Sequence, residues 1–166
     1  MNTHRIAIIA ALAWAALLSG ICRADTAASS LAILCGPRAS ILAPYVREAS
    51  MRYLEHPVTI VALIAAESRC RTDAIGARGE RGLTQVTPGG DAANGMTPEQ
   101  LMDPRTSILV GIRWLSLCAV RCGGLARGLG KYNGGKCWRS HAYSARVLAL
   151  VARFWAAMAS REARTS

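Results

Sequence analysis

The stretch PVTIVALIAAES, from Pro57 to Ser68, spreads apolar side chains around every side of a helical wheel before it ends on a carboxylic acid, Glu67, and a serine. A helix without a polar face has to be enclosed by the rest of the chain. With 166 residues there is length for one ordinary domain and too little for two full-sized ones. Apolar residues make up 52% and charged ones 18%, which excludes a disordered acidic tail, a collagen-like array and a polar linker.

Part of that apolar content sits at the N-terminus. His4 and Arg5 precede an unbroken apolar run from Ile6 to Leu18, and small and polar residues follow up to Ala24, the anatomy of a secretory signal peptide. The run is well short of the roughly 20 residues that cross a bilayer. Cys22 follows Ile21 where a lipoprotein signal needs Gly or Ala, so residues 1–24 are expected to be cleaved, leaving a periplasmic or secreted protein with no stable membrane anchor. Five cysteines then remain: Cys35, Cys70, Cys118, Cys122 and Cys137. In an oxidising compartment most should pair, in any of about 15 ways, with one left over or bridging to another molecule. Cys118 and Cys122 have the spacing of a metal pair, but His56 and His141 are isolated and nothing completes a tetrahedral site, so neither metal nor cofactor is expected.

The formal charge of +10 rests on 18 arginines against 2 lysines and falls to +8 once Arg5 and Arg23 are removed. Such an excess calls for an anionic partner: nucleic acid, anionic lipid or a wall polymer. The arginines are scattered rather than striped and few aromatics interleave with them, so nucleic acid is not expected.

Periodicity predicts a mainly α chain. A helix is expected over Ser40–Leu54, with Ile41, Leu42, Tyr45, Val46, Ala49, Met51 and Tyr53 as its apolar stripe, after a short lead from residue 25. Residues 70–95, rich in Gly, Arg and Thr, read as loop with at most a small hairpin over 75–88. Thr97 caps a short helix that has Pro98 at its first position, and Asp103-Pro104 opens a longer one through Val120, ended by Gly123-Gly124. A Gly-rich bend is expected around Lys131–Gly135 and a last helix over about Ala142–Met158, with residues 159–166 as a tail. Trp114, Trp138 and Trp155 read as core or rim rather than as sugar platforms.

Chemistry concentrates at Glu67. Leu63 and Ile64 lie one turn back on its face, and both desolvation and the negative end of the helix dipole favour the protonated acid. A carboxylic acid kept neutral near pH 7 can donate a proton to a glycosidic oxygen. The competing reading is a helix-end residue paired with Arg69 or Arg71. Nearby, Asp73 reads as a solvated loop residue, whereas Glu80, in the Gly-Glu-Arg-Gly turn, either lines a cleft or pairs with Arg78 or Arg81.

Three blocks turn the balance toward catalysis. ALIAAESRCRTDAIGARGERGLTQVTP, from Ala62 to Pro88, resembles the lytic transglycosylase family, lysozyme-like enzymes that cut peptidoglycan, at Glu67-Ser68, Gly79 and Gly82-Leu83-Thr84-Gln85. Leu101-Met102-Asp103-Pro104 with Ile108 and Gly111, and Lys131-Tyr132-Asn133-Gly134-Gly135 with Tyr143 and Val147-Leu148, follow in the family's order. Thr84 stands for a usual Met, Ser107 for Asn, Lys131 for Ala and Cys70 for an aromatic. The resemblance implies one lysozyme-like (α+β) domain over residues 57–158, with Glu67 as the sole catalytic acid and then base. Ser68, Gln85, Tyr132, Asn133, Tyr143 and Glu80 become the expected substrate-binding residues and peptidoglycan strands the expected partner. Small enzymes of this kind open the wall locally for secretion or conjugation machinery, or serve phage. The rivals are hydrolysis of lysozyme type and a catalytically silent wall-binding protein.

Overall fold

The computed structural model describes residues 26–165; residues 1–24, where a signal peptide is expected, lie outside them. Among the described residues seven α-helices follow in order: α1 (Thr26–Cys35), α2 (Ala43–Tyr53), α3 (Pro57–Ser68), α4 (Pro98–Met102), α5 (Pro104–Cys122), α6 (Leu125–Gly134) and α7 (His141–Thr165). Two 3-10 turns, Pro37–Leu42 and Asp91–Ala93, complete the elements. Among the described residues β structure is confined to two isolated antiparallel bridges, Ile75 with Arg81 and Arg81 with Val86, within the stretch where a hairpin was expected.

Helix α3 is the axis of the domain. Pro57 starts it, the His56 imidazole accepts from the Val58 amide at 3.3 Å, and Arg69 ends it in the left-handed conformation, φ 54°. Every residue from Pro57 to Ile64 is buried, as a helix without a polar face requires. Its apolar side chains join those of α1, α2, α5, α6 and α7 in one cluster, with Leu31, Val46, Ile108, Ile112, Leu115, Leu129 and Val147 among its members. A smaller cluster of Val86, Ala93, Leu101 and Val110 seals the long loop onto α4 and α5.

The predicted starts hold at α4 and α5. Thr97 and Gln100 form a reciprocal capping box, the Asp103 carboxylate accepts from the Thr106 amide at 2.8 Å, and Gly123 closes α5 at φ 71°. Four expectations need correction. The lead before residue 40 is helix α1, which buries Ala27, Ser30 and Leu31. Helix α2 begins at Ala43 and not at Ser40, and Ile41 and Met51 stand exposed instead of on a buried stripe, as does Val120 of α5. The bend over Lys131–Gly135 is largely helix α6, and α7 runs on through the expected tail to Thr165. Helix α6 tolerates its glycines because they allow close approach: a Cβ at Gly128 would lie 2.6 Å from the Ala119 Cα of α5. That contact and the Ser144 hydroxyl, which donates to the Ala126 carbonyl at 2.8 Å, set α6 against α5 and α7.

Two disulfides, Cys35–Cys70 and Cys122–Cys137, staple α1 to the turn after α3 and α5 to the loop before α7, leaving Cys118 as a buried thiol. Cys122 is therefore half of a disulfide and not of a metal pair.

Candidate active site

Glu67 sits in the last turn of α3, where enclosure of the helix carries its carboxyl into the interior edge of a cleft. Burial pushes its pKa above the ordinary carboxylate value. A hydrogen bond from Tyr143 and the Arg146 charge pull the other way, and the Glu80 charge adds to the rise. The Tyr143 hydroxyl, on the first turn of α7, donates to Glu67 Oε1. Burial and the Glu67 charge push the Tyr143 phenol upward, so it remains a donor throughout the working range. The pairing of Glu67 with Arg69 or Arg71 is absent, and Arg71 contacts Asp73 instead.

Beyond Glu67 opens a cleft of about 850 Å³, bordered by Glu80 and Gln85 of the long loop, Tyr132 and Asn133 of α6, and Arg146 of α7. Gln85 takes a left-handed backbone, φ 49°, and its amide nitrogen donates to the carbonyls of Gly82 (2.8 Å) and Ala74 (3.2 Å), which fixes the side chain at the cleft floor. The Tyr132 hydroxyl donates to the Thr84 carbonyl at 2.7 Å, which holds its ring at the cleft wall. Glu80 receives the Arg78 amide and the Arg78 Nε, both at 2.9 Å. Partial burial pushes its pKa up, but hydrogen bonds from its own and the Arg78 amides, with the Arg78 guanidinium, outweigh this and hold the carboxyl below its ordinary value.

Ser68 is placed differently. Its hydroxyl donates to the Ile64 carbonyl at 3.1 Å, and it borders a separate hollow of about 190 Å³ together with Arg69 and Arg71. A third hollow, of about 260 Å³, carries Asp91 and Trp114. Gln85 borders all three, and Glu67 borders both the main cleft and the hollow at Ser68, so the groove runs on past the acid.

Two departures from the family pattern meet under the floor. The Thr84 amide donates to Ser107 Oγ at 3.2 Å and the Thr84 hydroxyl to the Ser107 carbonyl at 2.7 Å, which bolts the Gly82–Gln85 turn onto α5. Gly82, at φ 70°, and Gly111 make room for this contact: a Cβ at Gly82 would strike the Leu101 carbonyl and one at Gly111 the Thr84 side chain. Sequence reading missed Arg146. Its signal was its place three residues after Tyr143 on one helix face, where its guanidinium stacks on the Tyr143 ring at 5.3 Å and donates to the Ala66 carbonyl at 3.0 Å.

A mainly α domain with a desolvated acid at a helix end beside an open polar groove is the arrangement that the lysozyme-like resemblance implied. Residues 44–145 match the family model described as Transglycosylase SLT domain, and the chain belongs to that family. No curated protein matches it. Membership supports lytic transglycosylase activity in general, with peptidoglycan as the substrate.

Proposed function

We propose that this protein cleaves the β-1,4 bond between N-acetylmuramic acid and N-acetylglucosamine and leaves a 1,6-anhydro end. Glu67 protonates the glycosidic oxygen as the C1–O bond breaks. The carboxylate then removes the proton of the C6 hydroxyl as the C1–O6 bond forms, so Glu67 is regenerated and no water is consumed. The observation that carries this reading is a single carboxylic acid, raised in pKa by burial and oriented by Tyr143, at the edge of a groove able to take a polymer. Gln85, Tyr132 and Asn133 line the main cleft and suit sugar hydroxyls, acetamido groups and a pyranose face; Ser68 serves the smaller hollow.

Hydrolysis of lysozyme type is the second reading, favoured by the second carboxylate in the cleft. Both Glu80 oxygens, however, are engaged by Arg78, which suits neither a nucleophile nor a water-activating base. Two disulfides, the apolar N-terminal run and a wall substrate support a periplasmic or secreted site of action. A small domain of this kind suits local wall opening for a secretion or conjugation machinery or a phage. Mass analysis of fragments released from purified sacculi tests the chemistry: anhydro ends are expected, and fragments carrying an added water overturn it.

A further inference from the structure

Position 76 has no side chain, and the space is taken. A Cβ built there would fall on Glu80 Oε2 and lie 2.7 Å from Gln85 Oε1, so two acceptor oxygens converge on a notch in the cleft that also contains Glu67. The Glu80 side chain is 12% exposed, set into the wall instead of reaching into solvent, and Arg78 grips it through backbone and guanidinium. Glu67 therefore does not face a neutral pocket. It shares its cleft with a second carboxylate, whose charge reaches it and whose place is fixed by a glycine and Arg78.

Building on the proposed reaction, we propose that Glu80 is a second catalytic carboxylate: an ionised group that faces the reacting sugar and stabilises the positive charge developing at C1 while Glu67 moves the proton. Glu80 forms no bond to carbon and exchanges no proton. The bonds made and broken remain those of the intramolecular transfer, and the charge at C1 is shared between the substrate's N-acetyl group and the Glu80 field. Two carboxyls in one cleft, one pushed up and one held down, is the pattern that separates a proton donor from an electrostatic partner.

The charged and titratable groups around the pair come from four directions. Arg78, with Arg81 nearby, flanks Glu80 on the loop; Glu67 ends α3; Tyr132 comes from α6; Tyr143 and Arg146 come from α7. Activity then requires Glu80 ionised and Glu67 protonated. The rate falls on the acid side as Glu80 takes a proton and on the alkaline side as Glu67 loses one.

The experiment is a pH–rate profile on purified sacculi for the parent, Glu80→Gln, Glu80→Asp, Gly76→Ala and Glu67→Gln. Glu80→Gln is expected to lower kcat by about ten- to a hundredfold with little change in KM, to abolish the acid limb and to move the alkaline limb to lower pH, because a negative charge beside Glu67 is gone. Glu80→Asp keeps the charge and should retain the acid limb. Gly76 lies outside the left-handed region, so alanine brings no backbone strain, yet its Cβ displaces the Glu80 carboxylate and should reproduce the kcat loss even where Glu80→Gln is poorly folded. Parent-like kcat and an unchanged acid limb in both Glu80→Gln and Gly76→Ala, with Glu67→Gln inactive, overturn the role of Glu80 and leave the proposed function standing. A parent that releases no anhydro fragments overturns the proposed function itself.

Discussion

At the scale of single residues, the proton on Glu67 links activity to stability. Its folded-state pKa is raised mainly by burial, so the folded chain holds a proton that the unfolded chain has already released. The contribution of Glu67 to folding stability is therefore fully present below the ordinary carboxyl value and is lost progressively as pH rises through the raised one. Glu67→Gln is expected to remove that loss, melting above the parent at about pH 8 and close to it at about pH 4, while glycan release falls by about 10³-fold. Tyr143→Phe tests orientation. The lost hydrogen bond had stabilised the carboxylate, so the alkaline limb should move to higher pH, opposite to the shift for Glu80→Gln, and kcat should drop by roughly tenfold for an interaction of about 1.5 kcal/mol. Glu67 stood out in the sequence because three motif blocks in order were added to a carboxyl at the end of an all-apolar helix. Arg146 offered only its spacing from Tyr143, a signal that gains meaning once the fold brings α7 against the end of α3.

At the scale of elements, the cleft floor depends on contacts that join residues far apart in the chain. Thr84 and Ser107, 23 positions apart, exchange buried hydrogen bonds, and neither residue type announces its partner. Thr84→Val should cost about 1–2 kcal/mol, read as a lower denaturation midpoint, while activity at low temperature persists because the Thr84 carbonyl still accepts from Tyr132. Gly111→Ala should cost more, on the order of 1–3 kcal/mol, since its Cβ meets the Thr84 side chain with nowhere to relax. Helix α6 teaches the same lesson in reverse. Three glycines within ten residues argue for a bend by propensity, but Gly128 packs on the α5 backbone and Gly130 beneath the Arg139 carbonyl, and tertiary contact outweighs the propensity. Tyr132 and Asn133 border the cleft from helix α6 and not from the turn expected for them. The caps of α4 and α5 were readable because capping is local chemistry within three or four residues.

At the scale of the whole molecule, the staples hold the acid in place from behind. Cys35–Cys70 closes 35 residues that include all of α3, and Arg69 and Cys70 both adopt left-handed backbone just beyond Glu67, φ 54° and 64°. Replacing Cys35 and Cys70 together by serine should cost about 4 kcal/mol, against about 3 kcal/mol for the shorter Cys122–Cys137 loop, and urea titration of the two variants orders them. The arginine excess acts at longer range, so binding to sacculi should weaken steadily with added salt while kcat holds. Residue counting foresaw an odd thiol without saying which; only the packing singles out Cys118.

That hidden sulfur gives maturation a competing thiol to manage. Cys118 lies one helical turn from Cys122, and before α5 and α6 come together both are open to oxidant, with Cys137 the shared target. Native pairing is favoured when Cys118 is interred before Cys122 is captured. A nascent chain oxidised too early would be trapped in the wrong partnership, and the yield of native molecules depends on a helical hairpin that closes first or on a catalyst that reshuffles the bond.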